Sequence, residues 1–349
     1  MKAAVITGPH QIEFQEIERP TPEPGEALVK IEAVGVCGSD LHAYEGSQPF
    51  FQYPEIGGHE VVGTVVEISE AEADAPVLVG RPQPRPPAEG SRVVLDPSMP
   101  CVGCYPCRTG RYNCCENMRV MGVHAPGAFA EYIAAPLGCL HGISDDISDD
   151  AAVMVEPISI GVQATNRARI TIEDTVLILG AGTIGLSVLQ VAKARGARCA
   201  ITDLVPGRLE LARELGADVT VDARESDLRA ALAEDFGQSG PSVVLEAVGR
   251  SATVRQALEV VAASGRVVML GLCSDEICFD GPLMVRKELD FLGSRLHGGT
   301  VPQAVELVEN GEIEPERLVT HHLPLDELEQ ALKLMIDEPD TTLKVIVTP

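Results

Sequence analysis

The chain has 349 residues, enough for two domains with sizeable cores. Lys and Arg number 27 against 52 Asp and Glu, a net charge of −25, which argues against nucleic acid and anionic membrane surfaces as partners. Hydrophobic residues make up 45%, yet no apolar run approaches the roughly 18 residues needed to span a bilayer. Met1–Val5 passes straight into a strand pattern with no secretion signal, so a cytoplasmic protein is expected. In that compartment ten cysteines read as metal ligands or buried thiols rather than as a disulfide framework.

Residues 1 to about 150 are rich in Val, Gly and Pro, with β-like runs at Ala27–Val34, His59–Ile68 and Arg92–Asp96. This is the texture of a β-rich domain with long functional loops. After the first run comes Gly35-Val36-Cys37-Gly38-Ser39-Asp40-Leu41-His42, and Gly57-Gly58-His59-Glu60 leads into the second. Cys, His and Glu all ligate Zn²⁺, so Cys37, His59 and Glu60, with Glu156 further on, form one candidate set. Spacing alone leaves each an ordinary role too: a buried thiol, a hydrogen-bonded core histidine, a carboxylate at a helix end. Ala71–Glu89, rich in Ala, Pro, Glu and Arg, reads as a surface excursion between two strands. Cys101, Cys104, Cys107 and Cys115 then follow in the spacing C-x2-C-x2-C-x7-C. Four thiolates this close along a loop can converge on one Zn²⁺, and a shell closed by four sulfurs leaves no position for water, so this zinc is structural. A disulfide pair is the alternative. Cys114, beside Cys115, would be hard to ligate at the same time.

From Ala151 strands alternate with helices: a strand Thr175–Leu179, a helix Thr183–Arg195, a strand Arg198–Asp203, a helix Pro206–Leu215 and a strand Val219–Val221. A helix near Asp227–Phe236, a strand Val243–Val248, a helix near Ala252–Ala262 and a strand Arg266–Gly271 continue the series. Such alternation builds a doubly wound parallel sheet. Gly180-Ala181-Gly182-Thr183-Ile184-Gly185 is G-x-G-x-x-G placed between a strand and a helix, as a dinucleotide pyrophosphate requires. Asp203 ends the next strand, where a carboxylate accepts ribose hydroxyls and repels a 2′-phosphate, so NAD is expected over NADP. Arg208 is a candidate for the adenine, or equally a solvated helix charge, and Val248, Leu270 and Leu272 are candidates for the nicotinamide side, at strand C-terminal ends. The stretch Leu283–Leu292 reads as a candidate interface strand, with a role inside the chain just as consistent. After about Arg295 two helices, Pro302–Glu309 and Asp326–Ile336, and a strand Leu343–Val347 form a tail expected to return to the first domain. The expected division is 1–150 with 296–349, and 151–295.

Cys-Gly-Ser-Asp-x-His, Gly-His-Glu, the four-cysteine lobe, Glu-Pro and Gly-Ala-Gly-Thr-Ile-Gly stand here in the order seen in zinc-dependent medium-chain dehydrogenases, and the resemblance runs along essentially the whole chain. It is strongest to the sorbitol/polyol dehydrogenase-like branch. Within it, Met121-Gly122-Val123-His124, Met154-Val155-Glu156-Pro157 and Ser294-Arg295-Leu296 look most like the L-gulonate and L-galactonate 5-dehydrogenases. The resemblance implies a GroES-like catalytic domain beside a Rossmann NAD domain, two zinc ions per chain, and a homodimer or homotetramer. It implies that Cys37, His59 and Glu60 hold the catalytic zinc, with Glu156 as fourth ligand directly or through water. Asp40 would orient the ligating histidine, and Ser39 and His42 would relay the substrate proton. Arg295 and His124 would face the carboxylate of a sugar acid. Ala43 stands where some sorbitol dehydrogenases carry a tyrosine, and Gly90-Ser91-Arg92-Val93 replaces the usual Gly-Asp-Arg-Val. Sorbitol/xylitol, L-threonine or 2,3-butanediol oxidation on the same scaffold, a zinc-bearing NAD sensor without turnover, and a zinc-free quinone reductase of the same superfamily are the alternatives.

Overall fold

A computed structural model describes residues 1–69, 87–224 and 227–349. Most of the Ala71–Glu89 excursion, residues 71–86, lies outside the described residues. The chain forms two compact units: residues 1–156 with 298–311 and 315–349, and residues 157–297 with 312–314. The first division falls inside the helix Val155–Ala168 rather than at residue 151, where the composition changes, because one unbroken helix carries the chain across.

The first unit is built on a seven-stranded sheet. Its order is Val319–Pro324, Lys344–Thr348, Glu26–Val36, Glu60–Ile68, Arg92–Leu95 and Leu140–Gly142, with Tyr132–Pro136 also on Glu26–Val36. All neighbours are antiparallel except the first two. Glu26–Val36 is central and buried along most of both faces, which is why it reads as a nearly continuous apolar run. Its Val29 and Val34 pack with Val65, Leu140, Val345 and Val347 in one core cluster. The C-terminal strand therefore lies directly beside the strand that leads to Cys37.

The second unit holds a six-stranded, all-parallel sheet ordered Val219–Asp222, Arg198–Asp203, Thr175–Leu179, Val243–Glu246, Arg266–Met269, Asp290–Gly293. The chain enters at Thr175–Leu179, steps outward twice, then crosses to the other side. The order thus reverses between Thr175–Leu179 and Val243–Glu246, the place where open parallel sheets take ligands at their strand C-terminal ends. Leu283–Leu292 differs from expectation. Asp280 precedes a short helix Gly281–Lys287 with a proline in its first turn, Glu288 at φ 49° ends it, and only Asp290–Gly293 is strand.

Candidate active site

Cys37 leaves the end of the strand Glu26–Val36 and caps the helix Gly38–Glu45. Asp40, fully buried, ties this corner together. One carboxylate oxygen accepts the Cys37 N–H at 2.9 Å and the other the Gly58 N–H at 3.1 Å, with His59 Nδ1 3.8 Å away. His59 follows Gly58, and Glu60 opens the next strand paired with Gly35. Ligand atoms of Cys37, His59 and Glu60 all lie within 4.8 Å of one another. Ser39 Oγ is 3.5 Å from His59 Nε2. His42 lies three residues beyond Ser39 on the same helix, and its Nδ1 is 3.2 Å from Ser47 Oγ. Glu156 is buried and close enough to act electrostatically on His59, but it stands outside this three-residue set.

The donor set fits a zinc ion. His59 Nδ1 is buried with no hydrogen bond, and the cluster holds a thiol, an imidazole and a carboxylate, all zinc ligands. Its electrostatics also favour a cation. Burial alone would lower the His59 pKa, yet Asp40, Cys37 and Glu156 push it well above its usual value. Asp40 is itself raised, chiefly by burial.

The four-cysteine lobe is equally well formed. The sulfurs of Cys101, Cys104, Cys107 and Cys115 lie within 4.8 Å of one another. Cys104 Sγ is 3.4 Å from Cys107 Sγ and 3.8 Å from Cys115 Sγ. Zn–S bonds of about 2.3 Å in a tetrahedron set sulfurs about 3.8 Å apart. Cys114 is not in the group; its thiol lies 4.0 Å from an Arg111 guanidinium nitrogen.

In the second unit Gly180 has φ +96°, a turn open to glycine, and a Cβ on Gly185 would overlap the Gly180 carbonyl oxygen. The helix Thr183–Ala194 then begins on Gly182 with no side-chain cap, and a Cβ at Gly182 would meet nothing within 4 Å. Backbone N–H groups and open space at a helix N-terminus suit a pyrophosphate. Asp203 accepts the Ala181 N–H at 2.6 Å and the Val205 N–H at 2.9 Å, which fixes its carboxylate beside the glycine loop. Thr183 and Ile184 are half-buried in the first turn of that helix, and Arg208 is half-buried in the next one, Pro206–Glu214. Val248 and Leu272 are 42% and 98% exposed.

The first unit matches the family model for an alcohol dehydrogenase GroES-like domain over residues 23–145, and residues 183–310 match that for a zinc-binding dehydrogenase. An erythritol/L-threitol dehydrogenase of Mycolicibacterium smegmatis is 35% identical, covering 100% of this chain and 98% of its own. An L-galactonate-5-dehydrogenase of Escherichia coli K12 is 33% identical over 100% of this chain and 99% of its own. The chain belongs to the zinc-binding dehydrogenases. A solved alcohol dehydrogenase of E. coli CFT073, complexed with NADH, superposes on this dehydrogenase with a TM-score of 0.91 at 32% identity, covering 100% and 99% of the two chains.

Two residues beside the Cys37, His59 and Glu60 cluster escaped sequence reasoning. Lys344, 3% exposed, places its Nζ 2.6 and 2.5 Å from the two carboxylate oxygens of Glu60. Burial alone would lower the Lys344 pKa, but Glu60, Cys37 and Glu156 raise it. Gly35 leaves the space that the Glu60 carboxylate fills. The available signal was a lone lysine in the apolar run Leu343-Lys344-Val345-Ile346-Val347. His124, a sequence candidate for substrate contact, accepts the Val120 N–H on Nδ1 and stacks on Phe50 at 5.9 Å between ring centroids. Arg295 is exposed just past the strand Asp290–Gly293.

Proposed function

We propose that this dehydrogenase oxidises a secondary hydroxyl of a sugar acid or polyol to a ketone with NAD⁺, an L-gulonate or L-galactonate 5-dehydrogenase-like activity. The observation that carries this reading is the convergence of Cys37, His59 and Glu60 with Ser39 beside them. Zinc supplies Lewis acidity that lowers the substrate hydroxyl's pKa, and NAD⁺ supplies the hydride acceptor. The residues do the rest. Cys37, His59 and Glu60 hold the metal, with Glu156 as an exchangeable fourth ligand, and Asp40 fixes the corner that carries them. Ser39 accepts the substrate proton and His42 passes it to solvent. The Gly180–Gly185 loop binds the pyrophosphate, and Asp203 binds the adenosine ribose and disfavours a 2′-phosphate. Cys101, Cys104, Cys107 and Cys115 hold the structural zinc.

Arg295, with a guanidinium fork suited to a carboxylate, and His124 are the sugar-acid contacts in this reading. The retained Ser39, His42 and ligand set favours turnover over a non-catalytic sensor. A homodimer would form by pairing the edge strand Asp290–Gly293, next to which Phe279 and Phe291 remain 42% and 37% exposed. We place the enzyme in the cytoplasm, where its ten unpaired cysteines stay reduced. The test is NADH formation with L-gulonate, L-galactonate, other aldonates, sorbitol, xylitol, L-threonine and 2,3-butanediol, each with NAD⁺ and NADP⁺. Selective turnover of an aldonate that Arg295→Ala weakens through KM supports the sugar-acid reading. Preference for neutral substrates removes the carboxylate role of Arg295 and His124.

A further inference from the structure

We propose that Lys344 is a positioning residue that competes with the catalytic zinc for Glu60, keeping that carboxylate a weak and exchangeable ligand. The inference rests on the zinc assignment of Cys37, His59 and Glu60 above.

Three strands build the arrangement. Lys344 begins the C-terminal strand, whose Val345 pairs with Val36. On the neighbouring strand Gly35 pairs with Glu60. A Cβ on Gly35 would overlap a Glu60 carboxylate oxygen, so the missing side chain is what lets the carboxylate lie against the lysine. An ammonium has three donors. Here one reaches the Val36 carbonyl at 3.2 Å and the other two reach the two Glu60 oxygens. The side chains are 3% and 2% exposed, so water does not compete.

Each Glu60 oxygen keeps a lone pair for a metal, but donates less while hydrogen-bonded to a cation. Removing the lysine charge leaves zinc as the only cation for a buried carboxylate surrounded by Cys37, Asp40 and Glu156. Two consequences follow with opposite signs. The zinc-free protein loses stability, because a buried charge has lost its partner. The zinc-loaded protein holds its metal more tightly, because Glu60 then belongs to the metal alone.

The experiment compares wild type with Lys344→Met, Lys344→Arg and Lys344→Met/Glu60→Gln. It records zinc per chain, the rate at which a chelator extracts the catalytic zinc, and melting temperatures of stripped and zinc-loaded protein. Expected for Lys344→Met are a lower melting temperature when stripped, a larger rise on adding zinc, and extraction slower by about ten-fold, the low end of effects seen for groups around metal ligands. Adding Glu60→Gln should return the stripped protein towards wild type. Should Lys344→Met fail to fold, Lys344→Arg serves: its fork holds Glu60 harder, and extraction should be faster than in wild type. Equal losses with and without zinc, at unchanged extraction rates, would make Lys344 a simple core strut and overturn the proposal. So would faster extraction from Lys344→Met, which would mean that the lysine presents Glu60 to the metal. A wild-type protein with zinc only in the four-cysteine lobe would instead overturn the active-site reading itself.

Discussion

Gly35→Ala perturbs the zinc corner by a single methyl group. Gly35 lies in an extended strand with no positive φ, so alanine meets no backbone penalty there. The cost is steric. The new Cβ would overlap a Glu60 carboxylate oxygen and sit 2.8 Å from Val153 Cγ1 and 3.1 Å from Glu60 Cβ. Overpacking of this kind costs roughly 1–3 kcal/mol. Glu60 can move aside only by leaving Lys344, and breaking a buried ion pair costs roughly 3–5 kcal/mol more. The sum, roughly 4–8 kcal/mol, is a large share of the 5–15 kcal/mol that typically separates folded from unfolded protein. Gly142→Ala is the control: it lies in a strand of the same unit, and its Cβ would meet nothing within 4 Å. Urea unfolding of zinc-loaded protein, followed by circular dichroism, should show a much lower midpoint for Gly35→Ala and almost none of that loss for Gly142→Ala. Zinc content should fall with it. A Gly35→Ala protein within about 1 kcal/mol of wild type, with its zinc intact, would refute the tight fit among Gly35, Glu60 and Lys344.

Cys107→Ser removes a buried sulfur from the four-cysteine lobe. Elemental analysis should show loss of one zinc per chain, with a lower melting temperature and normal NAD binding. Asp203→Ala should weaken NAD⁺ binding by roughly 10- to 100-fold, the worth of hydrogen bonds to a charged group, and should weaken NADP⁺ binding far less; isothermal calorimetry with both cofactors checks it. Asp174 supplies a pH test. Burial raises its pKa, but bonds from Ser242, Thr171 and Arg266 outweigh burial and hold it below the usual value. Its contribution is therefore complete above its unfolded pKa of about 3.9 and is lost as pH falls through the lower folded value. Asp174→Asn should cost roughly 3 kcal/mol at pH 7, and the stability curves of variant and wild type should converge as the pH falls through that lowered folded value.

Much of the second unit was legible because its signals are local. Thr175–Leu179 is a continuous apolar run because both faces of a parallel strand are covered, and its observed bounds match those read from sequence. Gly180–Gly185 carries its own turn chemistry. The four-cysteine lobe was legible for the same reason, since all its ligands lie within one loop. Leu283–Leu292 misled because Leu283, Met284 and Leu289 are packed against the core whether the backbone is helix or strand, and short apolar runs do not tell the two apart. The Asp280 and Pro282 start signals favour the helix.

Lys344 was hidden for a different reason. It lies 284 residues from Glu60, and only the register of three strands brings the two together. A strand reading Leu-Lys-Val-Ile-Val looks like a core strand with one outward lysine, because a lysine is seldom buried without a partner and the partner is not local. Yet among the described residues Lys344 is the sole Lys or Arg in the buried class, in a chain with net charge −25. Its ammonium lies on the Glu60 carboxylate, close enough to Cys37 and Glu156 for both to act on it electrostatically. A lysine delivered by the strand Lys344–Thr348 gives the buried Glu60 carboxylate a cationic partner. The Cys37–His59–Glu60 corner is thereby tied to the strand Lys344–Thr348, which pairs directly with the strand Glu26–Val36 that leads to Cys37.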